Sequence, residues 1–198
     1  MCGRYENKMS LESLLESLGL SIEFYNELLK QKIKKENIAP TDLIVNISQK
    51  EETLIFDISN WGIKFKPGSP LIFNSRIETI KEKPYWKSLF TKNKCLVPMT
   101  GFYEWKKSGT KKIPYKIYLP DEGMFFVPAL AAYINNEKFV SLVTTEPNAF
   151  MKDIHHRMPV ILNKESIVDF FENDFEANIE MCRPLADDIP MELEEAEF

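Results

Sequence analysis

The residues Leu43-Ile44-Val45-Asn46-Ile47-Ser48 and Thr53-Leu54-Ile55-Phe56-Asp57-Ile58 decide the class of fold, because both runs are rich in β-branched and other apolar side chains. The polar residues Gln49-Lys50-Glu51-Glu52 separate the two runs, as the turn of a β-hairpin would. Similar runs recur along the rest of the chain. They predict further strands over residues 72–79, 95–106, 115–119, 124–133, 139–145 and 159–162.

Helical patterns are fewer than strand patterns. Ser10 is placed to cap a short helix with leucines at helical spacing, and Gly19 is placed to end it. A second helix is predicted over residues 22–34, one or two helical turns over 147–154, and a late helix over 165–171. Many short strands with few helices to cover them favour a curled or barrel-like sheet over a parallel one.

The length and composition indicate one domain. A chain of 198 residues buries roughly 70% of its unfolded surface, which is close to the upper size of a single core. We therefore expect one α+β domain over residues 1–198, with mostly antiparallel strands in a barrel-like sheet and a few peripheral helices. Glutamates crowd residues 190–198, which we expect to form a disordered, solvated acidic tail.

The charge and the cysteines narrow the classes of function. A net charge of -5 argues against a general electrostatic grip on nucleic acid. The lysines between residues 81 and 112 could still form a local basic groove, or simply a solvated surface. Three cysteines without a Cys-x-x-Cys pair indicate neither a disulfide framework nor a metal site. No apolar run reaches the about 20 residues of a membrane helix, so we expect a cytoplasmic protein.

Cys2 is informative because of its position. Removal of Met1 would leave an α-amine and a thiol on one residue, and such an amine titrates at about 7.7–8.0. A 1,2-aminothiol condenses with an aldehyde to an imine, after which its sulfur closes a thiazolidine ring in a step favoured by proximity. A chance cysteine in a disordered terminus is the alternative interpretation.

Glu104 is a carboxylate inside a strongly apolar run. Period-two alternation places it on one strand face with Phe102 and Lys106, and places Tyr103 and Trp105 on the other. A carboxyl group flanked by rings is desolvated, which raises its pKa and suits it to general acid or base chemistry. A surface glutamate paired with Lys106 is the alternative.

Two further groups of polar side chains could serve a site. Asn74, Arg76 and Glu78 alternate with apolar or small residues, so one strand face would carry them, and a guanidinium can hold a phosphate bidentately. A solvated face of an amphipathic strand is the alternative. His155 and His156 are adjacent, and in an extended segment they would point to opposite sides, so at most one would enter a given site.

Several short motifs together resemble one protein family, the SRAP (SOS-response-associated peptidase) family. They occur in the family's order from residue 2 to about residue 162. They are Cys2-Gly3-Arg4-Tyr5, Asn37-Ile38-Ala39-Pro40, Trp61-Gly62, Asn74-Ser75-Arg76-Ile77-Glu78, Cys95-Leu96-Val97-Pro98, Gly101-Phe102-Tyr103-Glu104-Trp105 and His155-His156-Arg157-Met158-Pro159.

The resemblance implies a barrel-like domain that binds single-stranded DNA and crosslinks abasic sites through its N-terminal cysteine. It implies catalytic roles for Cys2, Asn74, Glu104 and His155, the last selected over His156 by the family pattern His-any-Arg-Met-Pro. The implied DNA contacts are Arg4, Pro40, Trp61, Arg76 and Tyr103.

The resemblance also implies possible autoproteolytic removal of Met1, no cofactor, and abasic single-stranded DNA as the partner of a monomeric protein. Two alternatives stay open. One is a thiol peptidase that uses Cys2 or Cys95 with His155. The other is a DNA-binding module without covalent chemistry. Turnover of a peptide without any DNA aldehyde would identify the peptidase. A denaturing gel after incubation with an abasic oligonucleotide separates the binding module from a crosslinking protein, because only a covalent adduct survives it.

Overall fold

The computed structural model describes residues 3–19 and 33–198. Its strands, in chain order, are β1 (Tyr5–Glu6), β2 (Leu43–Lys50), β3 (Thr53–Trp61), β4 (Asn74–Arg76), β5 (Lys94–Met99), β6 (Gly101–Ser108), β7 (Lys111–Tyr118), β8 (Phe125–Ile134), β9 (Glu137–Thr145), β10 (Met158–Pro159) and β11 (Glu192–Glu195). Its helices are α1 (Leu11–Ser17), α2 (Ile77–Glu82), α3 (Pro84–Lys92), α4 (Ala149–Lys152), α5 (Ser166–Glu172) and α6 (Phe175–Met181).

The larger of two sheets closes on itself as a barrel. Its strands pair in the order β9-β3-β2-β5-β8, and β8 pairs back with β9. The predicted hairpin is confirmed, with β2 and β3 pairing from Leu43 opposite Asn60 to Lys50 opposite Thr53. Most pairs are antiparallel, as expected, whereas β3 and β4 run parallel to β9. The expected α+β fold with a barrel-like sheet is therefore confirmed.

The smaller sheet has the strand order β1-β6-β7-β11. Its last strand corrects the expectation for residues 190–198, because Glu192–Glu195 pairs with β7 instead of being disordered. Met191 is buried and anchors the segment, and the backbone of β11 completes its hydrogen bonds on the edge of β7. Edge pairing needs no apolar side chains, so composition alone misjudged this segment.

Two apolar clusters hold the sheets and helices together. One unites the smaller sheet with one face of the barrel strands and includes Tyr5, Phe102 and Val97. The other includes Leu96, Phe90 and residues of α1, α2, α5 and α6. Val97 and Leu96 are neighbours on β5, so strand alternation assigns successive side chains to different clusters.

Several predicted elements differ from the structure. The strand expected over 72–79 ends at Arg76, because Ile77 and Ile80 lie at helical spacing and are buried by α2. The strand expected over 95–106 is two strands, since the chain leaves the barrel at Thr100 and enters the smaller sheet. The strand expected over 159–162 is limited to Met158–Pro159.

Other outcomes concern the helices. The first and the late helix are confirmed as α1 and α5, and α4 occupies part of residues 147–154. Helices α3 and α6 went unpredicted, although Pro84 in the first turn of α3 and Asp174 as the N-cap of α6 are recognisable start signals. The helix expected over 22–34 lies, apart from its last two residues, outside the described residues. Within the described ranges, no helix is long and apolar enough to cross a membrane.

Candidate active site

One end of β9 brings together segments that are far apart in the sequence. Strand β4 lies beside it, with Asn74 opposite Leu142 and Arg76 opposite Thr144. Strand β10 follows the two histidines and pairs with the same end of β9, with Met158 opposite Thr145. The asparagine–arginine motif and the histidine motif therefore flank one strand terminus.

Glu104 lies on β6 with only 3% of its surface exposed. The predicted alternation is confirmed, because Glu104 approaches His155 while Tyr103 and Trp105 both contact Phe198. Burial raises the pKa of the Glu104 carboxyl group, since an ionised carboxylate is poorly solvated there. The expected desolvated carboxyl group is present, and among the ion pairs of the described residues none joins it to Lys106.

His155 follows α4, and its backbone N–H donates to the Met151 carbonyl. Nδ1 of His155 lies 3.1 Å from the Arg157 backbone nitrogen and 3.2 Å from the Arg157 carbonyl oxygen, so the Arg157 backbone orients the ring at this nitrogen in either neutral tautomer. Burial is the largest of the effects that lower the pKa of His155, to about 4. The imidazole is therefore neutral near pH 7.

The two groups meet at the site. Nδ1 of His155 lies 3.8 Å from Oε1 of Glu104. That distance would suit an ion pair, but the lowered pKa of His155 keeps the ring uncharged at neutral pH. We therefore interpret the contact as a carboxyl group beside a neutral imidazole. Such a pair can pass protons to and from a reacting molecule.

His156 corrects the expectation that the two histidines diverge. Its ring centroid lies 4.2 Å from that of His155, with 33° between the planes. The reason is local backbone shape, because His156 lies in a bend after α4 and the extended strand begins only at Met158. His156 is exposed, whereas His155 is half-buried.

Arg157 fixes the histidine segment in place. Its two Nη atoms donate to both carboxylate oxygens of Glu78 at 2.8 and 2.9 Å, and Nη2 also donates to the Thr144 carbonyl at 2.7 Å. Partial burial is the largest single effect on Glu78 and raises its pKa, but the hydrogen bonds from Arg157, a backbone hydrogen bond and the charges of Arg157 and Arg76 together hold that pKa below its ordinary value. Glu78 thus belongs to α2 and positions Arg157. The expectation that Glu78 lies on a strand face beside Asn74 and Arg76 is wrong.

Asn74 and Arg76 share one face of β4, as predicted, since the intervening Ser75 turns inward to hydrogen-bond Ser141 at 2.8 Å. Asn74 is half-buried and Arg76 is exposed. Sequence reasoning missed Thr144, which lies opposite Arg76 with its hydroxyl group buried and without a hydrogen-bond partner among the described residues. A threonine in an apolar strand carries no sequence signal of this kind.

Cys2 lies outside the described residues, whereas Arg4 is described. The Tyr103 backbone N–H donates to the Arg4 carbonyl at 2.9 Å, and β1 continues along β6 with Tyr5 opposite Phe102. Arg4 also hydrogen-bonds the side chain of Asn37. The chain that leads back to residue 2 therefore starts beside the strand that carries Glu104.

Trp61 has a different place from the one expected. It is fully buried, its Nε1 donates to the Phe73 carbonyl at 2.9 Å, and its ring packs edge-on against Tyr5 at 5.2 Å. A buried indole cannot stack on a base, so Trp61 supports the backbone next to Asn74 instead. Pro40 is half-buried.

Tyr103 is also covered. Its hydroxyl group donates to Oε2 of the buried Glu6 at 2.6 Å, and its ring lies 5.0 Å from the ring of Phe198. Burial and the hydrogen bond to Glu6 raise the pKa of Tyr103, so the hydroxyl group stays protonated. Phe198 therefore covers part of the Tyr103 side chain, of which only 7% is exposed.

The remaining cysteines are unsuited to nucleophilic chemistry. Cys95 and Cys182 are buried, and burial raises the pKa of each thiol to about 12. The hypothesis of a thiol peptidase that uses Cys95 as its nucleophile is therefore wrong, because the nucleophile would have to be a thiolate. Over residues 3–19 and 33–198, no cluster of histidine, cysteine and acidic side chains could hold a metal ion.

The fold and the site define a candidate catalytic domain. It is a barrel in which a buried carboxyl group lies beside a neutral imidazole, and Asn74 and Arg76 lie on the strand next to the end of β9. The chain belongs to the SRAP family, since the family model described as SOS response associated peptidase (SRAP) matches residues 1–196.

Similar proteins include two bacterial relatives. The chain is 32% identical over 174 residues to the abasic site processing protein YoaM of Bacillus subtilis (strain 168), covering 82% of this chain and 75% of the relative. It is 29% identical over 182 residues to the abasic site processing protein YedK of Escherichia coli (strain K12), covering 88% and 81%. A crystal structure of a protein from Bacteroides thetaiotaomicron matches 99% of this chain and 92% of its own with a TM-score of 0.81 at 24% identity, which confirms the fold.

Proposed function

We propose that this protein processes abasic sites in single-stranded DNA by forming a covalent thiazolidine between Cys2, once Met1 is removed, and the abasic-site aldehyde. The contact of buried Glu104 with neutral His155 carries the proposal. The relatives named abasic site processing proteins support the choice of substrate. The product would shield the lesion from other reactions.

The reach of the chain is consistent with this role for Cys2. Two residues span at most about 7 Å between Cα atoms, so Cys2 stays close to Arg4. Arg4 is bonded through its carbonyl to Tyr103, the neighbour of Glu104. The amine and thiol of Cys2 can therefore reach the carboxyl group on β6.

Each chemical step can be assigned to a group. The neutral Cys2 amine adds to C1′ of the opened sugar and gives a carbinolamine. Glu104, whose raised pKa favours the protonated form, gives a proton to the departing hydroxyl group, so water leaves and a protonated imine forms. The nitrogen then returns a proton to the Glu104 carboxylate, which leaves the neutral imine. The Cys2 sulfur then adds to the imine carbon while its proton passes to nitrogen, which closes the ring.

Other residues would hold the DNA and the opened sugar. Arg76 is exposed on β4 and suits a phosphate, and half-buried Asn74 on the same face suits a sugar hydroxyl group. The neutral ring of His155 has one nitrogen that accepts and one that donates, so it can orient the opened sugar and relay its protons. No cofactor takes part in these steps.

The test is a denaturing gel of mature protein incubated with an abasic single-stranded oligonucleotide. We expect an adduct that survives denaturation, no stable adduct from Cys2→Ser, and an undiminished adduct from the matched thiol control Cys182→Ser. Mass spectrometry would establish whether Met1 is present, since an amide nitrogen cannot form an imine. A stable adduct from Cys2→Ser, or from protein that keeps Met1, would overturn the mechanism. Turnover of a peptide without DNA would favour a peptidase instead.

A further inference from the structure

We infer that residues 191–198 compete within the same chain for the surface that single-stranded DNA would use, with Phe198 in the place of a DNA base. This inference rests on the proposed function, because it assumes that DNA approaches Arg4 and Tyr103. It concerns DNA affinity and leaves the Glu104–His155 chemistry untouched.

The ring of Phe198 makes the contacts expected of a stacked base. It lies 5.7 Å from the ring of Trp105 with 22° between the planes, and it meets Tyr103 edge-on at 5.0 Å. The guanidinium carbon of Arg4 lies 5.8 Å from the same ring. Aromatic and arginine side chains of this kind are the usual platform for an unpaired base.

The charge of the segment matches a nucleic acid as well. Four glutamates, at positions 192, 194, 195 and 197, lie within it. Glu194 pairs with Lys116 at 3.0 Å, and Glu192 accepts from the Tyr118 hydroxyl group at 2.8 Å. Carboxylates therefore occupy basic and donor groups along β7, and they repel phosphates as long as β11 stays in place.

The strand face separates this surface from the catalytic groups. Tyr103 and Trp105 contact Phe198, whereas Glu104 lies between them in sequence and contacts His155 on the opposite face of β6. Release of Phe198 would therefore expose a neighbouring surface to which the DNA nucleotides next to the abasic site could bind. It would not change the surroundings of the carboxyl group.

The segment is held in a way that permits release. Strand β11 is a four-residue edge strand whose residues are all exposed, and Phe198 keeps 58% of its surface exposed. Exposed edge strands and ring contacts of this kind lie at the low end of local stability. Single-stranded DNA can displace the ring without unfolding the sheets.

The test compares four proteins, which are wild type, Phe198→Ala, Phe198→Tyr and Tyr133→Ala. Phe198→Tyr keeps the ring, and Tyr133 is a matched control because it is an exposed aromatic on β8, with 62% of its surface exposed. Affinity for undamaged single-stranded DNA would be measured by fluorescence anisotropy, and adduct formation at saturating abasic DNA by quenched gels. Thermal unfolding would show that all four proteins are folded.

We expect Phe198→Ala to bind undamaged DNA about three- to tenfold more tightly, the range that one exposed ring contact represents. The other two variants should match wild type, and all four should form adduct at the same saturating rate. Equal or weaker binding by Phe198→Ala, or an equal gain in Tyr133→Ala, would overturn the inference while wild-type adduct formation still upheld the proposed function. Absence of both DNA binding and adduct in every protein would overturn the two proposals together.

Discussion

The imidazole Nδ1 of His155 lies 3.8 Å from Oε1 of Glu104, and the two groups depart from their ordinary pKa values in opposite directions. Burial raises the pKa of Glu104 and is the largest cause of the lowered pKa of His155. Both shifts favour uncharged forms, so the pair is poised for proton exchange. Because His155 contacts Glu104 and His156 is exposed, substitution of the two histidines should have different effects on the rate of adduct formation.

His155→Ala should slow adduct formation or its reversal at saturating DNA by about 100-fold or more, because a positioned acid–base group contributes about 100- to 10,000-fold. His156→Ala should have a much smaller effect, since His156 is exposed. Single-turnover rates at saturating abasic DNA would measure both. Because the rings lie 4.2 Å apart, the control is the protonation state of His155 in His156→Ala, measured by NMR titration. A larger effect at His156 would contradict the assignment.

Glu104→Gln should stabilise the protein at neutral pH while it abolishes adduct formation. The folded-state pKa of Glu104 is raised, so ionising the carboxyl group above its ordinary pKa of 4.5 costs folding free energy. The amide removes that cost, and the gain should shrink as the pH falls below 4.5. Urea unfolding at several pH values measures it, with exposed Glu137→Gln as the control. Lower stability of Glu104→Gln at pH 8 would argue against a desolvated carboxyl group.

His155 should contribute to the free energy of unfolding of the wild type, and this contribution should be lost in acid. Its pKa is about 4 in the folded state against 6.5 ordinarily, so protons bind the unfolded chain more tightly between these values. The contribution of His155 to stability is fully present above pH 6.5 and declines as the pH falls towards 4. We expect His155→Gln to lose less stability than the wild type over this interval. Parallel urea midpoints for the two proteins would contradict the expectation.

Glu78→Gln should lower the free energy of unfolding by about 1–2 kcal/mol, because it breaks a charge-assisted bidentate pair with the buried Arg157. It should also slow adduct formation, since Arg157 holds the segment of His155. Exposed Glu82→Gln on the same helix is the matched control. Calorimetry and gel assays would measure the two effects, and unchanged stability in Glu78→Gln would mean that the pair does not anchor the segment.

Binding of undamaged single-stranded DNA should weaken with salt, although the protein is acidic overall. Each phosphate contact contributes a slope of about -0.7 in log affinity against log salt for single strands. Arg76→Ala should make the slope less steep by about 0.7, the amount that one phosphate contact contributes. Lys50 is exposed at the end of β2, and Lys50→Ala should leave the slope unchanged. Anisotropy titrations from low to physiological salt would measure both slopes. A flat salt dependence in the wild type would contradict phosphate contact at Arg76.

The sequence by itself determined the strand-rich fold and several local features. The hairpin of β2 and β3 and the alternation along β6 follow from neighbours in the chain, because strand geometry repeats every two residues. The sequence left two interpretations of Glu104 open, and its burial in the folded chain decided between them. The motif pattern also selected the family that the comparison confirmed. Local signals for α3 and α6 were present in Pro84 and Asp174 as well, and were missed.

Only the tertiary structure decided what depends on contacts between distant residues. The contact of Tyr5 with Trp61, the bond from Arg157 to Glu78, and the pairing of β11 with β7 join residues from 56 to 80 positions apart. No local period encodes such contacts, since their free energy arises when the sheets pack. For the same reason the meeting of Glu104 with His155, and the cover that Phe198 places over Tyr103, became visible only in the folded chain.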